Sequence, residues 1–346
     1  MHMYFTKRSL GNFFLISTAV ATLGCSESVD RNKIEYADTA NVLAYPAKVE
    51  TTPVVSSDDA ADDPTIWIHP NDKSKSLIVG TDKQKGLGVY DLQGQLVQFV
   101  EHGRPNNVDL RQRVSLDGES VDLVAFSDRS DNTVGLATID ESGITIVGSF
   151  GVKEEPYGFC LGQHTDQLFA IVTYKDGLLE QYKFGEYIKD TPSLVFSYQF
   201  DSQLEGCVMD DTNGRLFVGE ENHGVWALNP STGQVDLVDV IDGQNGIVAD
   251  VEGMDIYHAR AGNSGLLFVS SQGNDSFATY ALEPPYRFVD RFRVNATDAI
   301  DGAQETDGLA VTSTPLPGFP SGLLVVQDGF NDDGMQNFKY VDARTK

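Results

Sequence analysis

One short apolar segment recurs six times along the chain, each time ending in a charged or amide residue. The copies are LIVGTDK, LVAFSDR, LFAIVTYK, LFVGEE, LLFVSSQ and LLVVQD, which end at Lys83, Arg129, Lys175, Glu221, Gln272 and Asp328. Successive copies lie 46, 46, 46, 51 and 56 residues apart. A repeat of this length built on short strands predicts a β-propeller with one blade per repeat. If the six end positions are equivalent, a cationic half of the ring faces an acidic half.

Each repeat contains four short runs rich in β-branched and aromatic residues, separated by Gly, Asn, Asp and Pro turns. The sixth repeat lacks a fourth run because the sequence ends at Lys346. The segment AKVETTPVV at 47–55 precedes the first repeat and can supply that strand. We therefore predict an all-β protein with little helix: a six-bladed β-propeller with four antiparallel strands per blade, in which an N-terminal strand completes the last blade and closes the ring.

The first 24 residues have the layout of a secretory signal, with Lys7 and Arg8 before an apolar stretch. Gly-Cys followed by polar residues also resembles a bacterial lipoprotein site, with Cys25 lipidated, although ordinary cleavage nearby is the alternative. We predict a signal peptide at 1–24, a flexible tether at 25–45 and a propeller domain at 46–346. The protein is then exported, as a periplasmic protein, an outer-membrane lipoprotein or an extracellular protein, and touches a membrane only through a lipid anchor.

Two cysteines remain in the propeller, Cys160 and Cys207, early in successive repeats. They could face each other across neighbouring blades, and an oxidising compartment would permit a disulfide. Free, buried thiols are the expectation from the sequence.

The chain is strongly acidic, with 25 Lys and Arg against 51 Asp and Glu and a net charge of -26. This charge argues against nucleic acid or an anionic membrane surface as a partner. Acidic or amide residues cluster where the first strand of each repeat begins, and no Cys/His pair has metal-ligand spacing. Hard oxygen ligands in this number favour calcium over zinc or copper. Any one of them could equally be a turn cap.

Nine motifs in register resemble the β-propeller phytases over about residues 48–341. They are DAADDPTIWIHP, NNVDLR, YGF, LLEQYKF, EGCVMDD, DVEGMDIY, SSQGN, ETDGLAV, and QDG with QNFKYV. The sequence departs from the family at Asp176, where Glu is usual, and in the rewritten segment DAIDGAQETDG.

The resemblance implies calcium-dependent hydrolysis of phosphate monoesters from phytate, inositol hexakisphosphate, by metal-activated water, as in a 3-phytase. We expect this water to attack directly, without a covalent phosphoenzyme. It implies phytate or calcium-phytate and lower inositol phosphates as substrates, several calcium ions, and catalytic roles for Glu205, Glu252, Lys83, Arg129 and Lys175. Substrate contacts fall on Lys83, Arg129, Lys175, Tyr157 and Asn107. The metal ligands that we expect are Glu50, Asp63, Glu205, Glu221, Asp250, Glu252, Gln272, Asp307 and Asp328.

Two alternatives share the fold and the acidic channel. One is another calcium-dependent propeller hydrolase, a lactonase or phosphodiesterase. Such an enzyme has less use for three cationic side chains, Lys83, Arg129 and Lys175, on one half of the ring. The other is a non-enzymatic surface-binding propeller. In each case we expect a monomer.

Overall fold

A computed structural model describes residues 42–258, 265–331 and 334–343. The predicted signal peptide, Cys25 and all of the tether before Val42 lie outside these residues. The described chain is almost entirely strand, with single 3-10 turns at Lys73–Lys75 and Gln272–Asn274. None of its helical turns has the length and apolarity of a membrane-spanning helix.

The strands form six sheets, which confirms the predicted six-bladed propeller. Blade one contains β3 (Ala61–Trp67), β4 (Leu77–Asp82), β5 (Gly86–Tyr90) and β6 (Leu96–Glu101). Blade two contains β7 (Pro105–Leu116), β8 (Glu119–Asp128), β9 (Thr133–Asp140) and β10 (Gly143–Gly151). Blade three contains β11 (Pro156–His164), β12 (Gln167–Tyr174), β13 (Leu178–Lys183) and β14 (Ser193–Gln199).

Blade four contains β15 (Leu204–Asp210), β16 (Arg215–Glu220), β17 (Gly224–Asn229) and β18 (Gln234–Val240). Blade five contains β19 (Val251–Tyr257), β20 (Leu266–Ser271), β21 (Ser276–Ala281), β22 (Phe288–Asn295) and β1 (Val42–Pro46). Blade six contains β23 (Leu309–Thr312), β24 (Leu323–Asp328), β25 (Asn337–Asp342) and β2 (Val49–Glu50).

The core lies between neighbouring blades, which explains why the second strands are the most apolar segments of the sequence. Strand β4, for example, is buried at all six positions because one face packs on the preceding blade and the other on the following blade. The outermost strands, such as β14, are largely exposed. Burial on both faces therefore produced the continuous apolar runs that revealed the repeat.

The ring closes as predicted. Strand β2 pairs with β25 in antiparallel register, with Val49 opposite Tyr340. The innermost strands β3, β7, β11, β15, β19 and β23 each contact the next, and β23 contacts β3. The N-terminal segment thus joins the last blade to the first and leaves blade six without an open outer edge.

One element contradicts the predicted domain boundary. Residues 42–45, assigned to the flexible tether, belong to β1, which runs parallel to β22 as a fifth strand of blade five. The Tyr45 ring stacks on Phe292 with 4.4 Å between centroids, and Tyr45 is buried. A parallel strand is not joined to its partner by a hairpin turn, so no local sequence pattern predicts this pairing.

The expectation of free thiols is wrong. Cys160 on β11 and Cys207 on β15 form a disulfide between the innermost strands of blades three and four, with their Cα atoms 5.7 Å apart. Adjacent inner strands bring equivalent positions of successive repeats face to face, so a separation of 47 residues along the chain becomes a direct contact.

We expect the double substitution Cys160→Ala and Cys207→Ala to lower the free energy of unfolding by about 4 kcal/mol, because the bond closes a loop of 47 residues. Chemical denaturation of the variant, beside wild-type protein with its disulfide intact, measures the difference. Equal denaturation midpoints would mean that the disulfide adds no stability to the ring.

Candidate functional site

Each blade contributes one residue to the mouth of the central channel, where its innermost strand begins. In five blades the register between the first and second strands shifts at this point. A bulge of this kind re-aims one side chain out of the regular alternation. The residues in question are Asp62, Asn106, Tyr157, Glu205 and Glu252, joined in blade six by Asp307, which lies just before β23. We call these six residues the channel ring.

Glycines after four of these residues let the blades approach one another. A Cβ on Gly158 would lie 1.9 Å from the carbonyl oxygen of Glu205, and one on Gly206 would lie 2.2 Å from that of Glu252. Both distances are far below van der Waals contact, so a larger residue would push the next inner strand away. The glycines therefore bring members of the channel ring into contact across blades.

Hydroxyl groups of the second strands hold the backbone of the channel ring in place. Ser127 Oγ donates to the carbonyl of Tyr157, and Thr173 Oγ1 donates to that of Glu205, each at 2.7 Å. Ser270 Oγ makes the corresponding bond to the carbonyl of Thr306, also at 2.7 Å. Two of these bonds tie the second strand of one blade to the first strand of the next, and the third reaches the segment just before β23, so the site is assembled by the packing of the blades.

Three buried glutamates converge on one side of the mouth. One carboxylate oxygen from each of Glu205, Glu221 and Glu252 lies within 4.8 Å of the others. We call this the carboxylate cluster. Burial, then the charge of Glu205, raises the pKa of Glu221 to about 7 and that of Glu252 well above its usual range. Such a cluster is stable when ionised only if a cation offsets it.

Several oxygens at the mouth are buried yet unsatisfied. Within the described part of the chain, Glu252 Oε2, Asp62 Oδ1 and Asn106 Oδ1 have no hydrogen-bond partner. Buried polar atoms normally find one, so an orphaned set at the same place points to a missing ligand. All available donors are carboxylate or amide oxygens, which suit a hard cation such as calcium or magnesium. The residues present therefore fit a metal ion.

Lys83 lies among three carboxylates beside this cluster. Its Nζ is 2.7 Å from Asp59 Oδ1 and 3.2 Å from both Asp62 Oδ2 and Asp307 Oδ2. Burial alone would lower the pKa of Lys83, but the charges of Asp62, Asp307 and Asp59 outweigh it and raise this pKa. Gln272 donates its side-chain amide to Asp307. Lys83 is thus a neutralised cation that links blade one to blade six.

Two more cations stand on the same arc. Arg129 Nη2 donates to the carbonyl of Lys83 at 3.2 Å, while its buried Nε has no partner among the described residues. Lys175 is exposed, and its Nζ lies 4.2 Å from the centroid of the Tyr157 ring. A cation over an aromatic face is held in place yet keeps its N–H donors toward solvent. Arg129 and Lys175 therefore add cationic donors to the mouth, and Lys175 lies near enough to Glu221 for its charge to act on that carboxylate.

Asp63 and Asn107 lie one residue deeper than the channel ring. Asp63 Oδ2 accepts the backbone N–H of Val108 on the next inner strand at 3.0 Å. The neighbouring Asn107 Oδ1 accepts from Asn106 at 2.9 Å, and Asn107 is buried. Asp63 therefore ties blade one to blade two, whereas Asn107 bonds its own neighbour on β7, and the mouth instead receives Asp62 and Asn106.

Asp250 lies half-buried next to the carboxylate cluster. Its pKa is raised by burial and then by the charge of Glu205, and its carbonyl accepts the backbone N–H of Gln272 at 3.0 Å. The structure therefore brings Glu205, Glu221, Asp250, Glu252, Gln272 and Asp307 of the predicted metal ligands to one side of the mouth.

Asp328 is not equivalent to the other five repeat-end residues. The backbone N–H groups of Lys83, Arg129, Glu221 and Gln272 each bond a carbonyl of the loop before their blade's first strand, and in blade six this bond comes from Gly329. Asp328 instead matches Asp128, because each carboxylate accepts a backbone N–H of that same loop at 2.9 Å. A shift of one residue turns a strand side chain to the other face.

The register explains where Asp328 points. It faces into blade six, where Asp328 and Glu50 both contact the ammonium group of Lys339. These two predicted ligands thus come together, but away from the carboxylate cluster. The sixth position of the repeat carries no side chain, so the acidic half of the ring predicted from the sequence is one residue short.

Asp59, Asp62 and Asn106 received no role from the sequence. They lie in acidic or amide-rich segments that were expected near the site. In blades four and five, Glu205 and Glu252 each stand directly before a glycine. Asp62 and Asn106 occupy the equivalent position in blades one and two, so the repeats contained a signal that could have identified them. Aligning the repeats on Glu205-Gly206 would have selected them over Asp63 and Asn107.

The chain is similar to known proteins in sequence and in structure. A family model described as Phytase matches residues 12–345. The 3-phytase of Bacillus subtilis (strain 168) is 38% identical over 347 residues, covering 94% of this chain and 90% of that protein. Among solved structures, BBS1N in complex with ARL6DN covers 78% of this chain and 75% of its own at 14% identity and a TM-score of 0.46. Chaetomium thermophilum Sqt1 covers 78% and 73% at 15% identity and a TM-score of 0.45.

Proposed function

The chain belongs to the phytase family, and from that premise we propose that it releases phosphate from phytate with calcium as its metal. The observation that carries the proposal is the pairing of a buried carboxylate cluster with cations across one channel mouth. A lactonase has no comparable use for donors suited to phosphate. The substrates are phytate, free or as its calcium salt, and lower inositol phosphates.

Glu205, Glu221 and Glu252 are the residues that would hold the metal, since one carboxylate oxygen from each lies within 4.8 Å of the others. When bound, calcium supplies a Lewis acid that polarises a phosphoryl oxygen and acidifies a nearby water. It also offsets the acidic mouth, which would otherwise repel a polyanion from a protein of net charge -26.

The chain's own residues bind and orient the phosphate. Arg129 offers its unpartnered Nε and a further N–H in the fork geometry that matches two phosphate oxygens. Lys175 adds a point charge from the Tyr157 face. Lys83 is already neutralised, so its contact with phosphate requires the largely exposed Asp59 to turn away. These cations stabilise charge on the transferring phosphoryl group.

Glu252 Oε2 is placed to orient the attacking water and accept its proton, because it is a buried acceptor without a partner among the described residues. Glu205 Oε1 is held by Asn106 Nδ2 at 2.8 Å and keeps its orientation. Attack by water leads directly to inorganic phosphate, without a covalent phosphoenzyme. Trapping a phosphorylated side chain during turnover would contradict this route.

The proposed function is tested by measuring phosphate release from phytate with calcium present, after chelation and after calcium is restored. We expect release that is lost with the chelator and recovered with calcium. Release no faster than background in all three conditions would favour a surface-binding protein. Cleavage of a phosphodiester or lactone but not phytate would favour the other hydrolase classes.

We expect Arg129→Ala to reduce turnover of phytate roughly 100-fold with little change in the thermal midpoint, because the Arg129 side chain makes one hydrogen bond within the described part of the chain, to the carbonyl of Lys83. The control is Arg111→Ala, further along β7, where the side chain pairs with Asp109 and Asp211 at 2.9 and 2.8 Å. It should lower stability while turnover per folded molecule is kept. If Arg129→Ala lowered both together, the cationic arc would be structural.

We further propose that the protein is exported and acts as a monomer. The Cys160–Cys207 disulfide supports an oxidising compartment. Lipidation of Cys25 stays a prediction, tested by mass spectrometry of the mature N-terminus.

A further inference from the structure

The disulfide joins the two blades between which the charge of the mouth changes sign. Cys160 belongs to blade three, whose second strand is followed by Lys175. Cys207 belongs to blade four, whose second strand is followed by Glu221. Both cysteines are buried and line the channel. The covalent link therefore stands between the last cationic blade and the first acidic one.

The bond also lies close to two residues of the channel ring. Tyr157, whose ring holds Lys175, precedes Cys160 by three residues on β11. Glu205 of the carboxylate cluster precedes Cys207 by two residues on β15. A strand rises by about 3.3 Å per residue, so the disulfide lies within roughly 10 Å of both along the strands. It sets the spacing of the two strands directly below Tyr157 and Glu205.

The disulfide makes this joint stiffer than the neighbouring one. At the same depth, blades two and three are joined by a hydrogen bond, since Asp109 Oδ2 accepts the N–H of Leu161 at 2.8 Å. Between blades three and four, the bond of this kind runs from Gln163 N–H to Asp211 Oδ1 at 2.9 Å and lies further from the mouth. A hydrogen bond can lengthen or exchange with water, whereas a disulfide keeps its two Cα atoms about 4.4–6.8 Å apart.

The proposed reaction uses groups on both sides of this joint. Tyr157 and Lys175 would orient phosphate from blade three, while Glu205 and Glu221 would hold the metal from blade four. Burial raises the pKa of Glu221 and the charge of Lys175 lowers it, so the two side chains act on each other across the joint. Displacing such groups by about 1 Å can reduce a rate roughly 100-fold. The spacing of blades three and four therefore bears directly on the chemical step.

We propose that Cys160 and Cys207 are positioning residues, whose bond holds the phosphate-binding side of the mouth at its working distance from the metal-binding side. The inference rests on the proposed function and deepens it, because it assigns the disulfide a role in turnover beyond its role in stability. Each side keeps its own contacts when the bond is removed, since Glu205 and Glu221 share one blade. Loss of the bond should then slow the reaction while binding of calcium and phytate is kept.

The test is the double substitution Cys160→Ala and Cys207→Ala, assayed in the cold, far below the thermal midpoint of the variant. We expect kcat for phytate to fall roughly tenfold, with KM changed less than about twofold. Equilibrium dialysis of chelator-treated protein should give the same number of bound calcium ions as wild type. A kcat equal to that of wild type would overturn the proposal, as would the loss of a bound ion.

Tyr45→Ala is the control for lost stability. The Tyr45 ring is buried against Phe292 on the outer strands of blade five, away from the joint of blades three and four. We expect its thermal midpoint to fall by about 5 °C or more while kcat in the cold is kept. If kcat fell equally in Tyr45→Ala and in the cysteine variant, turnover would follow stability alone and the positioning role would be wrong.

Thr173→Val tests the same joint with the disulfide intact. It removes the hydroxyl that donates to the carbonyl of Glu205 at 2.7 Å and keeps the shape of the side chain. We expect kcat to fall about threefold at unchanged KM. If the cysteine variant fails to fold, an unchanged kcat for Thr173→Val overturns the proposal. Active wild-type protein with equally active variants would refute the positioning role alone, whereas wild-type protein inactive on phytate would refute the proposed function as well.

Discussion

Glu205→Gln should lower phytate turnover roughly 100- to 1,000-fold while leaving the chelator-treated protein as stable as wild type or more so. The loss is expected because Glu205 lies at the centre of the carboxylate cluster and its charge raises the pKa of both Glu221 and Glu252. The gain in stability follows because the substitution removes one of three buried like charges and keeps the oxygen that accepts from Asn106. Initial rates of phosphate release and thermal midpoints in chelator measure the two effects.

Glu220→Gln is the matched control, since Glu220 is equally buried but faces into its blade. Its carboxylate accepts from Ser202 N and from Trp226 Nε1, each at 2.9 Å. We expect this variant to lose stability and to keep most of its turnover. If both variants lost stability and turnover together, Glu205 would be a structural carboxylate and the metal assignment would be wrong.

Calcium should stabilise the protein by an amount that grows steeply between pH 5 and pH 8. In the absence of metal, the folded-state pKa of Glu221 is raised from 4.5 to about 7 and that of Asp307 from 3.8 to about 6. Over that range the folded protein binds more protons than the unfolded chain, so the stability contributed by these groups is present at low pH and is lost as pH rises toward 7. Calcium binds the ionised carboxylates and reverses this trend.

We expect saturating calcium to raise the thermal midpoint by on the order of 10 °C at pH 8 and by a few degrees at most at pH 5. Thermal denaturation across this range, with calcium and with chelator, gives the difference at each pH. In Glu205→Gln the difference should shrink at every pH. A calcium effect of equal size at pH 5 and pH 8 would show that the cluster is ionised without metal.

The blades were predictable from the sequence because burial on both faces leaves a periodic signal in each repeat. Strand β4 and its five counterparts are apolar runs bounded by turn residues, and local composition is enough to find them. Strand β1 escaped because its partner β22 lies about 250 residues away and the pairing is parallel. Nothing local specifies such a contact.

The residue types of the site were predictable from the sequence, but not which residue of each adjacent pair faces the channel. Acidic residues at the mouth were expected, yet the bulges at the starts of the inner strands decide which member of each pair faces the channel. Asp62 and Asn106 therefore replace Asp63 and Asn107 at the mouth, and Gly329 replaces Asp328 as the sixth repeat position. Side chains alternate between the two faces of a strand, so a prediction that is wrong by one residue places the ligand on the opposite face.

The Cys160–Cys207 disulfide and the contacts of Lys339 with Glu50 and Asp328 depend on segments that only the closed ring brings together. Both involve residues whose sequence neighbourhood is ordinary for a buried strand. Their partners follow from the stacking of inner strands and from the pairing of β2 with β25.

The most direct test of the central claim is an anomalous difference map from crystals of the protein soaked in calcium. The account predicts a peak at the channel mouth, about 2.3–2.6 Å from oxygens of Glu205, Glu221 and Glu252. Crystals of calcium-dependent, active protein with no peak at the three glutamates would contradict the account.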